Sequence, residues 1–234
     1  GPARDHRHRI GGEQDDEADR RDDDDIMGER AEHRDAHYIV IVSSIGFVVL
    51  LAAYPVAMIA GRTSLLRFAR AVAPAQAVAI STQSSLASLP AMLQSTTSLG
   101  AQRSIAGIVL PMAVAVFRAT SPAMNLAVAL YVAHLTGTEI GAGAMAAGIC
   151  TAAITTMGSV SLPGTVSFIA SVAPVALAMG IPIEALGLLI AVETIPDMFR
   201  TVGNVTMDSA VTVGVSERSG DATTDPMFDD RDAP

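Results

Sequence analysis

Apolar positions run without a charged residue from Tyr38 to Ala60 and again from Ile140 to Ile183. Roughly 20 apolar residues cross a bilayer as an α-helix. The first run therefore predicts one transmembrane helix over 37–61, and the second predicts two passages or a hairpin. Between them lie two apolar arms, Ala71–Ile80 and Ala91–Leu99, around the polar stretch Ser81-Thr-Gln-Ser-Ser-Leu-Ala-Ser-Leu-Pro90. Arms of about ten residues are too short to span, so a polar turn between them predicts a re-entrant helical hairpin over 71–99. Residues 104–135 read as a span interrupted at Phe117-Arg-Ala-Thr-Ser-Pro122. Pro122 removes a backbone donor and Arg118 is a full charge at membrane depth, and broken backbone is tolerated there only beside protein or water. A second hairpin is predicted over 140–181, turning at Gly158-Ser-Val-Ser-Leu-Pro-Gly164. The last helix, 183–215, has a different pattern. At about 100° per residue, Glu193, Asp197, Arg200, Thr201, Asn204 and Asp208 share a stripe roughly 100° wide, flanked by Ile195, Met198, Phe199, Val202 and Val205.

Charge sharpens this picture. The chain has 234 residues, is 50 % hydrophobic, and carries a formal net charge of −9. Residues 1–36 hold 13 acidic and 7 basic side chains, and residues 216–234 hold 6 and 2, which leaves 5 acids and 6 bases for 37–215. The acidity belongs to the tails, which read as disordered, and the middle reads as an integral membrane protein. A charge-dense acidic stretch ahead of the first apolar run is not the pattern of a secretory signal. Met27 offers an alternative start to that stretch. His6, His8, His33 and His37 lie near the Asp22–Asp25 run, but their spacing matches no closed metal site, and a solvated tail is the simpler account. The single Cys150 has no intrachain partner and reads as a small packing residue. All the basic residues are Arg.

The same charges predict topology. Arg62, Arg67, Arg70 and Arg103 sit in connectors that alternate with those holding Glu139 and Glu184. The positive-inside bias places the arginine side in the cytoplasm. The hairpin over 71–99 then enters from the cytoplasmic face and the one over 140–181 from the other. Ser85-Leu-Ala-Ser-Leu-Pro90 is similar to Ser159-Val-Ser-Leu-Pro163, and each hairpin precedes a helix with an arginine at mid-depth, in Phe117-Arg118-Ala-Thr and Phe199-Arg200-Thr. Hairpin plus broken helix, repeated in inverted topology, is one way secondary transporters build a site at the bilayer midplane.

These motifs resemble those of the dicarboxylate/amino acid:cation symporter family, which includes glutamate and aspartate transporters. The resemblance covers roughly residues 37–215. It is carried by Ser84-Ser85-Leu-Ala-Ser-Leu-Pro90, by Leu162-Pro163-Gly164, and most specifically by Asp197-Met-Phe-Arg200-Thr201-Val-Gly-Asn204-Val-Thr-Met-Asp208. It implies an all-α membrane protein, a glutamate-transporter-like transport domain with two re-entrant hairpins in inverted repeat. It also implies substrate binding by Ser84, Ser85, Ser121, Pro163, Gly164, Asp197, Arg200, Thr201 and Asn204. In that scheme Arg200 holds the substrate's side-chain carboxylate with its planar fork, Asp197 takes an α-ammonium, and Asn204 and Ser85 meet the α-carboxylate. The tip around Ser161–Gly164 would be an extracellular gate. Asp208 with Asn204 resembles a site for a coupling cation, sodium or proton. The competing reading of the stripe is internal salt bridging, with Glu193 or Asp197 on Arg200.

Two departures from the family stand out. Where the family carries Asn-Met-Asp-Gly-Thr, this chain reads Phe117-Arg118-Ala119-Thr120-Ser121. Arg118 is then a fixed positive charge replacing a cation, a second carboxylate clamp, or a partner of Glu193. The second departure is that only one helix precedes the first hairpin, so the scaffold half of a symporter is nearly absent. The chain is a fragment, or borrows a scaffold from another chain (a homotrimer being the family's form), or has lost transport.

The function implied is cation-coupled symport of an acidic amino acid or C4-dicarboxylate by a multi-pass protein of a prokaryotic inner membrane. The alternative is a truncated relative that only binds substrate or a partner subunit. Retaining both Asp197 and Arg200 favours an amino acid. No enzymatic activity or cofactor is expected, since no hydrolase elbow surrounds any Ser, His134 reads as an interfacial residue, and neither a phosphate loop nor a basic-aromatic nucleic-acid patch occurs. Met112, Met124 and Met145 at apolar positions read as packing.

Overall fold

The structure, a computed structural model, describes the backbone of residues 2–157 and 165–219 and the side chains of residues 28–157 and 167–219. Its described residues are helical, with no strand. In chain order the helices are α1 (Pro2–Ala60), α2 (Leu65–Thr82), α3 (Leu89–Ser98), α4 (Arg103–Val116), α5 (Ser121–Thr136), α6 (Ala142–Thr156), α7 (Thr165–Ala178), α8 (Leu186–Leu189), a 3-10 turn (Ile190–Val192) and α9 (Thr194–Ser219). The chain divides into two units at Val40. The first is helical from Pro2 and contains an Arg34–Asp35 ion pair at 2.9 Å. The second holds every element described below.

Among the described residues, two stretches are long and apolar enough to cross a membrane, Gly28–Ala60 within α1 and Arg103–Thr136 across α4 and α5. Several hydroxyls in the helices are satisfied locally, the way a chain without water around it does it. Thr96, Thr97, Thr156, Thr206, Ser209 and Thr212 each donate to a carbonyl one turn back, at 2.6–2.9 Å.

α2 and α3 pack against each other, and both lie on α9 with α4 beside them. The apolar core of this group takes Phe68, Val72, Ala75 and Ala79 from α2, Met92 from α3, Leu110 and Val114 from α4, and Val205, Ala210 and Val213 from α9. A polar clasp crosses it. Gln76 Nε2 donates to Thr206 Oγ1 at 2.9 Å and to the Tyr54 hydroxyl at 3.2 Å, joining α1, α2 and α9. α6 and α7 form a second packed pair, with α5 against both.

Three boundaries differ from the pattern reading, the first being that α1 begins at Pro2 rather than 37, so residues read as a disordered tail continue the helix. The first arm begins at Leu65 rather than 71, so α2 has 18 residues. The apolar face continues through Phe68, which is buried against Tyr54 with ring centroids 5.5 Å apart. The polar-striped helix begins at Thr194 rather than 183. Pro196 then falls in its first turn, where a missing N–H costs nothing, and the apolar residues before it form α8 and the 3-10 turn.

α1 and α9 approach closely through small residues. A Cβ at Gly214 would sit 2.8 Å from Ala60 Cβ, and one at Gly46 would sit 3.0 Å from Phe199 Cβ. A Cβ at Gly203 would collide with Thr120 Cγ2. Small residues at such seams let helix backbones meet without a hydrophobic driving force between them. Gly203→Ala is therefore expected to lower the thermal midpoint of the detergent-purified protein. Gly143→Ala, where nothing lies within 4 Å, should leave it unchanged or raise it by about 2–4 °C through helix propensity. Equal effects at the two positions would contradict the close approach.

Candidate functional site

The charges of α9 converge at its N-terminal end. Residues 193, 197, 200, 204 and 208 recur every three or four positions, so the helix repeat puts them on one face, which at Asn204 meets the α4–α5 junction. The Arg200 side chain is 4 % exposed, and its Nη1 lies 2.8 Å from both Glu193 Oε1 and Asp197 Oδ1. Glu193 is buried too, while the Asp197 side chain is 22 % exposed. A guanidinium out of water needs counter-charge, and two carboxylates supply it here. Both act on one nitrogen. Arg200 Nε and Nη2, the two donors of the opposite edge, are buried and have no hydrogen-bond partner among the described residues.

One turn further along α9, Asn204 faces the junction between α4 and α5. Its Oδ1 accepts from the Thr120 backbone N–H at 2.9 Å and lies 2.7 Å from the Thr120 hydroxyl, and its Nδ2 donates to Ser121 Oγ at 3.4 Å. Thr120 Oγ1 also lies 2.8 Å from the Arg200 carbonyl. Thr120 occupies the N-cap position of α5, yet its hydroxyl caps nothing in that helix. It crosses to α9 instead. Asp208, another turn on, is fully buried, and neither carboxylate oxygen has a hydrogen-bond partner among the described residues. Arg118, buried in the α4–α5 break, lies within electrostatic reach of Asp208, Asp197 and Arg200.

The polar turn between α2 and α3 sits by the start of α9, where Gln83 Nε2 donates to the Thr194 carbonyl at 3.4 Å. Ser84 and Ser85 are buried in that turn. The Ser84 hydroxyl accepts from the Ala87 N–H at 3.3 Å, so it shapes the turn itself. Thr201 is buried on α9 beside Arg200. Pro163 and Gly164 lie outside the described residues. Asp197, Arg200, Asn204 and Ser121 are thus linked by direct contacts, to one another or through Thr120, while Asp208 stands apart from that hydrogen-bond network.

Thr120 and Glu193 are the contributors that a reading of site residues from sequence left out. Thr120 carried a signal, because a threonine just before Ser-Pro is a helix-cap position whose hydroxyl is available. Glu193 had been weighed only as a salt-bridge partner, the role in which it is found.

A family model, the sodium:dicarboxylate symporter family, matches residues 35–218. The chain is similar to the C4-dicarboxylate transport protein of Caulobacter vibrioides, 29 % identical over 158 residues that make up 67 % of this chain and 37 % of that protein. It is similar to C4-dicarboxylate transport protein 4 of Bradyrhizobium diazoefficiens, 28 % identical over 189 residues, 80 % of this chain and 42 % of the relative. With the proton/sodium-glutamate symport protein of Bacillus subtilis it shares 26 % identity over 181 residues, 77 % and 42 % of the two chains. The chain therefore spans about two fifths of the length of the curated relatives it matches.

The α4–α5 junction makes a stability prediction. Asn204→Leu leaves the buried Thr120 N–H without an acceptor and should cost about 2–4 kcal/mol, whereas Thr120→Val keeps that bond and should cost about 1 kcal/mol. Unfolding in detergent measures both, and an Asn204→Leu protein as stable as Thr120→Val would show that Asn204 does not anchor the junction.

Proposed function

The chain belongs to the sodium:dicarboxylate symporter family, and we propose that it forms the ligand-carrying part of a cation-coupled symporter for acidic amino acids or C4-dicarboxylates. The observation that supports this most is the open edge of Arg200. Nε–H and Nη2–H point the same way, spaced for the two oxygens of one carboxylate, and a carboxylate there completes a fork that is buried and half-used. Asp197, the more exposed of the two counter-ions, presents a carboxylate to an α-ammonium. An acidic amino acid satisfies both groups. A plain dicarboxylate satisfies Arg200 and sets its other end against Asp197, so aspartate or glutamate is the preferred class. Ser84, Ser85, Ser121, Thr201 and Asn204, with Pro163 and Gly164, complete the proposed pocket.

In this reading the pairs α2/α3 and α6/α7 are the two re-entrant hairpins of an inverted repeat in a multi-pass inner-membrane protein. Their ends are alike. α3 closes at Gly100 (φ 103°) with the Ala101 N–H on the Thr96 carbonyl, and α7 at Gly180 (φ 73°) with the Ile181 N–H on the Ala176 carbonyl.

Asp208 and Arg118 bear on coupling. A buried carboxylate with two unpartnered oxygens suits a hard cation. Arg118 already places a positive charge within reach of it. The cation requirement of this chain is therefore weakened, Arg118 taking the place of one coupling cation.

Binding of aspartate, glutamate and succinate to the purified full chain, measured by calorimetry in sodium and in N-methylglucamine salts, tests the reading. Aspartate is expected to bind, and Arg200→Lys to weaken it at least tenfold because the planar fork is lost. Absence of binding by all three ligands would overturn the carrier reading. Arg118→Met is expected to make aspartate binding sodium-dependent where the parent protein is nearly indifferent. Unchanged ion dependence in that variant would remove Arg118 from the coupling role.

A further inference from the structure

α5 carries a second buried polar group that none of the roles above uses. Asn125 is fully buried, and neither Nδ2 nor Oδ1 has a hydrogen-bond partner among the described residues. An amide left so costs free energy unless something else satisfies it. Its place on the helix says where that partner arrives. Asn125 is one turn beyond Ser121, on the same side of α5, and Ser121 meets Asn204. Met124 turns to α1, its Sδ lying 2.9 Å from where a Gly46 Cβ would be, and Leu126 turns to α6, its Cδ1 lying 3.2 Å from a Gly148 Cβ. Asn125 falls between those two flanks.

The level along α9 follows from the same contacts. Thr120 and Ser121 meet Arg200 and Asn204, whereas Met124 and Phe199 converge on the same point of α1, at Gly46. α5 and α9 therefore run in opposite senses at this contact, and Asn125 lies one turn toward the N-terminal end of α9. Helical side chains lean toward the N-terminus of their own helix. The Arg200 guanidinium does so, pairing with Asp197 and Glu193. Two groups without partners among the described residues, the Nε–Nη2 edge of Arg200 and the amide of Asn125, thus lie within about a helical turn of each other on neighbouring helices.

We infer that Asn125 is a specificity-determining contact in this pocket, its amide reading the far end of an acidic ligand whose carboxylate lies on Arg200. The inference rests on the carrier reading and deepens it. An amide offers a donor to a carboxylate and an acceptor to an ammonium, so Asn125 meets either end of an amino acid without adding charge to a group that already holds Glu193, Asp197 and Arg200. Its reach also sets how long a ligand fits.

The test uses the purified full chain with aspartate and glutamate as probes, comparing the parent protein with Asn125→Ala and Asn125→Gln and recording each melting temperature without ligand. Asn125→Ala is expected to weaken aspartate binding at least tenfold and to narrow the preference between the two ligands. Asn125→Gln, one methylene longer, is expected to keep aspartate and lose glutamate selectively. A purely structural amide would instead lower stability and leave the aspartate-to-glutamate ratio of dissociation constants unchanged, which overturns the inference. If Asn125→Ala cannot be purified, the ratio in Asn125→Gln alone decides. A parent protein that binds both ligands while the ratio stays fixed removes Asn125 and leaves the carrier reading intact. A parent protein that binds neither overturns both.

Discussion

A guanidinium taken out of water has to be answered by charge and by acceptors, and most of the site depends on how Arg200 is answered. Glu193 and Asp197 meet the first demand, one turn or two before it on the same helix, both on Nη1. Removing either carboxylate would leave a buried charge less well matched, a change that costs about 3–5 kcal/mol when a buried pair is broken. The second demand is met only in part, because Nε and Nη2 have no partner among the described residues. Arg200 is thus held by the carboxylates at and just before the start of its own helix, which leaves the other edge of the fork without a partner among the described residues.

Holding that edge in place falls to neighbours with little charge of their own. Glycines at 46, 203 and 214 bring α1 and α9 together, and Thr120 locks the break between α4 and α5 onto Asn204 and the Arg200 carbonyl. The break is what makes this possible. An unbroken helix would spend the Thr120 N–H on its own carbonyl ladder, whereas a helix that stops at Val116 and restarts at Ser121 frees it for α9. The Gln76–Thr206–Tyr54 clasp gives the other side of α9 a similar polar tie.

Among the described residues the ionisable groups gathered here are Glu193, Asp208 and the half-buried Asp197 against Arg200 and, from the α4–α5 break, Arg118, three carboxyl groups to two guanidinium groups. A site so composed has room for one further positive charge. In the carrier reading proposed above, an ammonium on the ligand or a cation near Asp208 would each fit that requirement.

Much was legible in the sequence alone. Charge-free runs such as Tyr38–Ala60 cannot be solvated, so the all-helical class and the membrane followed from hydropathy. The spacing Asp197, Arg200, Asn204, Asp208 put one chemistry on one helix face because the helix repeat is a local property, and it was specific enough to indicate the family that the comparison then showed. The start of α9 was not legible, since α8 and the 3-10 turn are as apolar as a helix and only Pro196 marks the change. Nor were the partners of Thr120 and Gln76, or the burial of Asn125. Hydropathy and period describe which side of a helix is polar, but which neighbour meets it depends on how helices far apart in sequence pack. That choice, which paired Thr120 with Asn204 across 84 positions and left Arg200 with an open edge, belongs to the tertiary structure, because contacts at such separation are settled by shape and charge in three dimensions rather than by any local pattern.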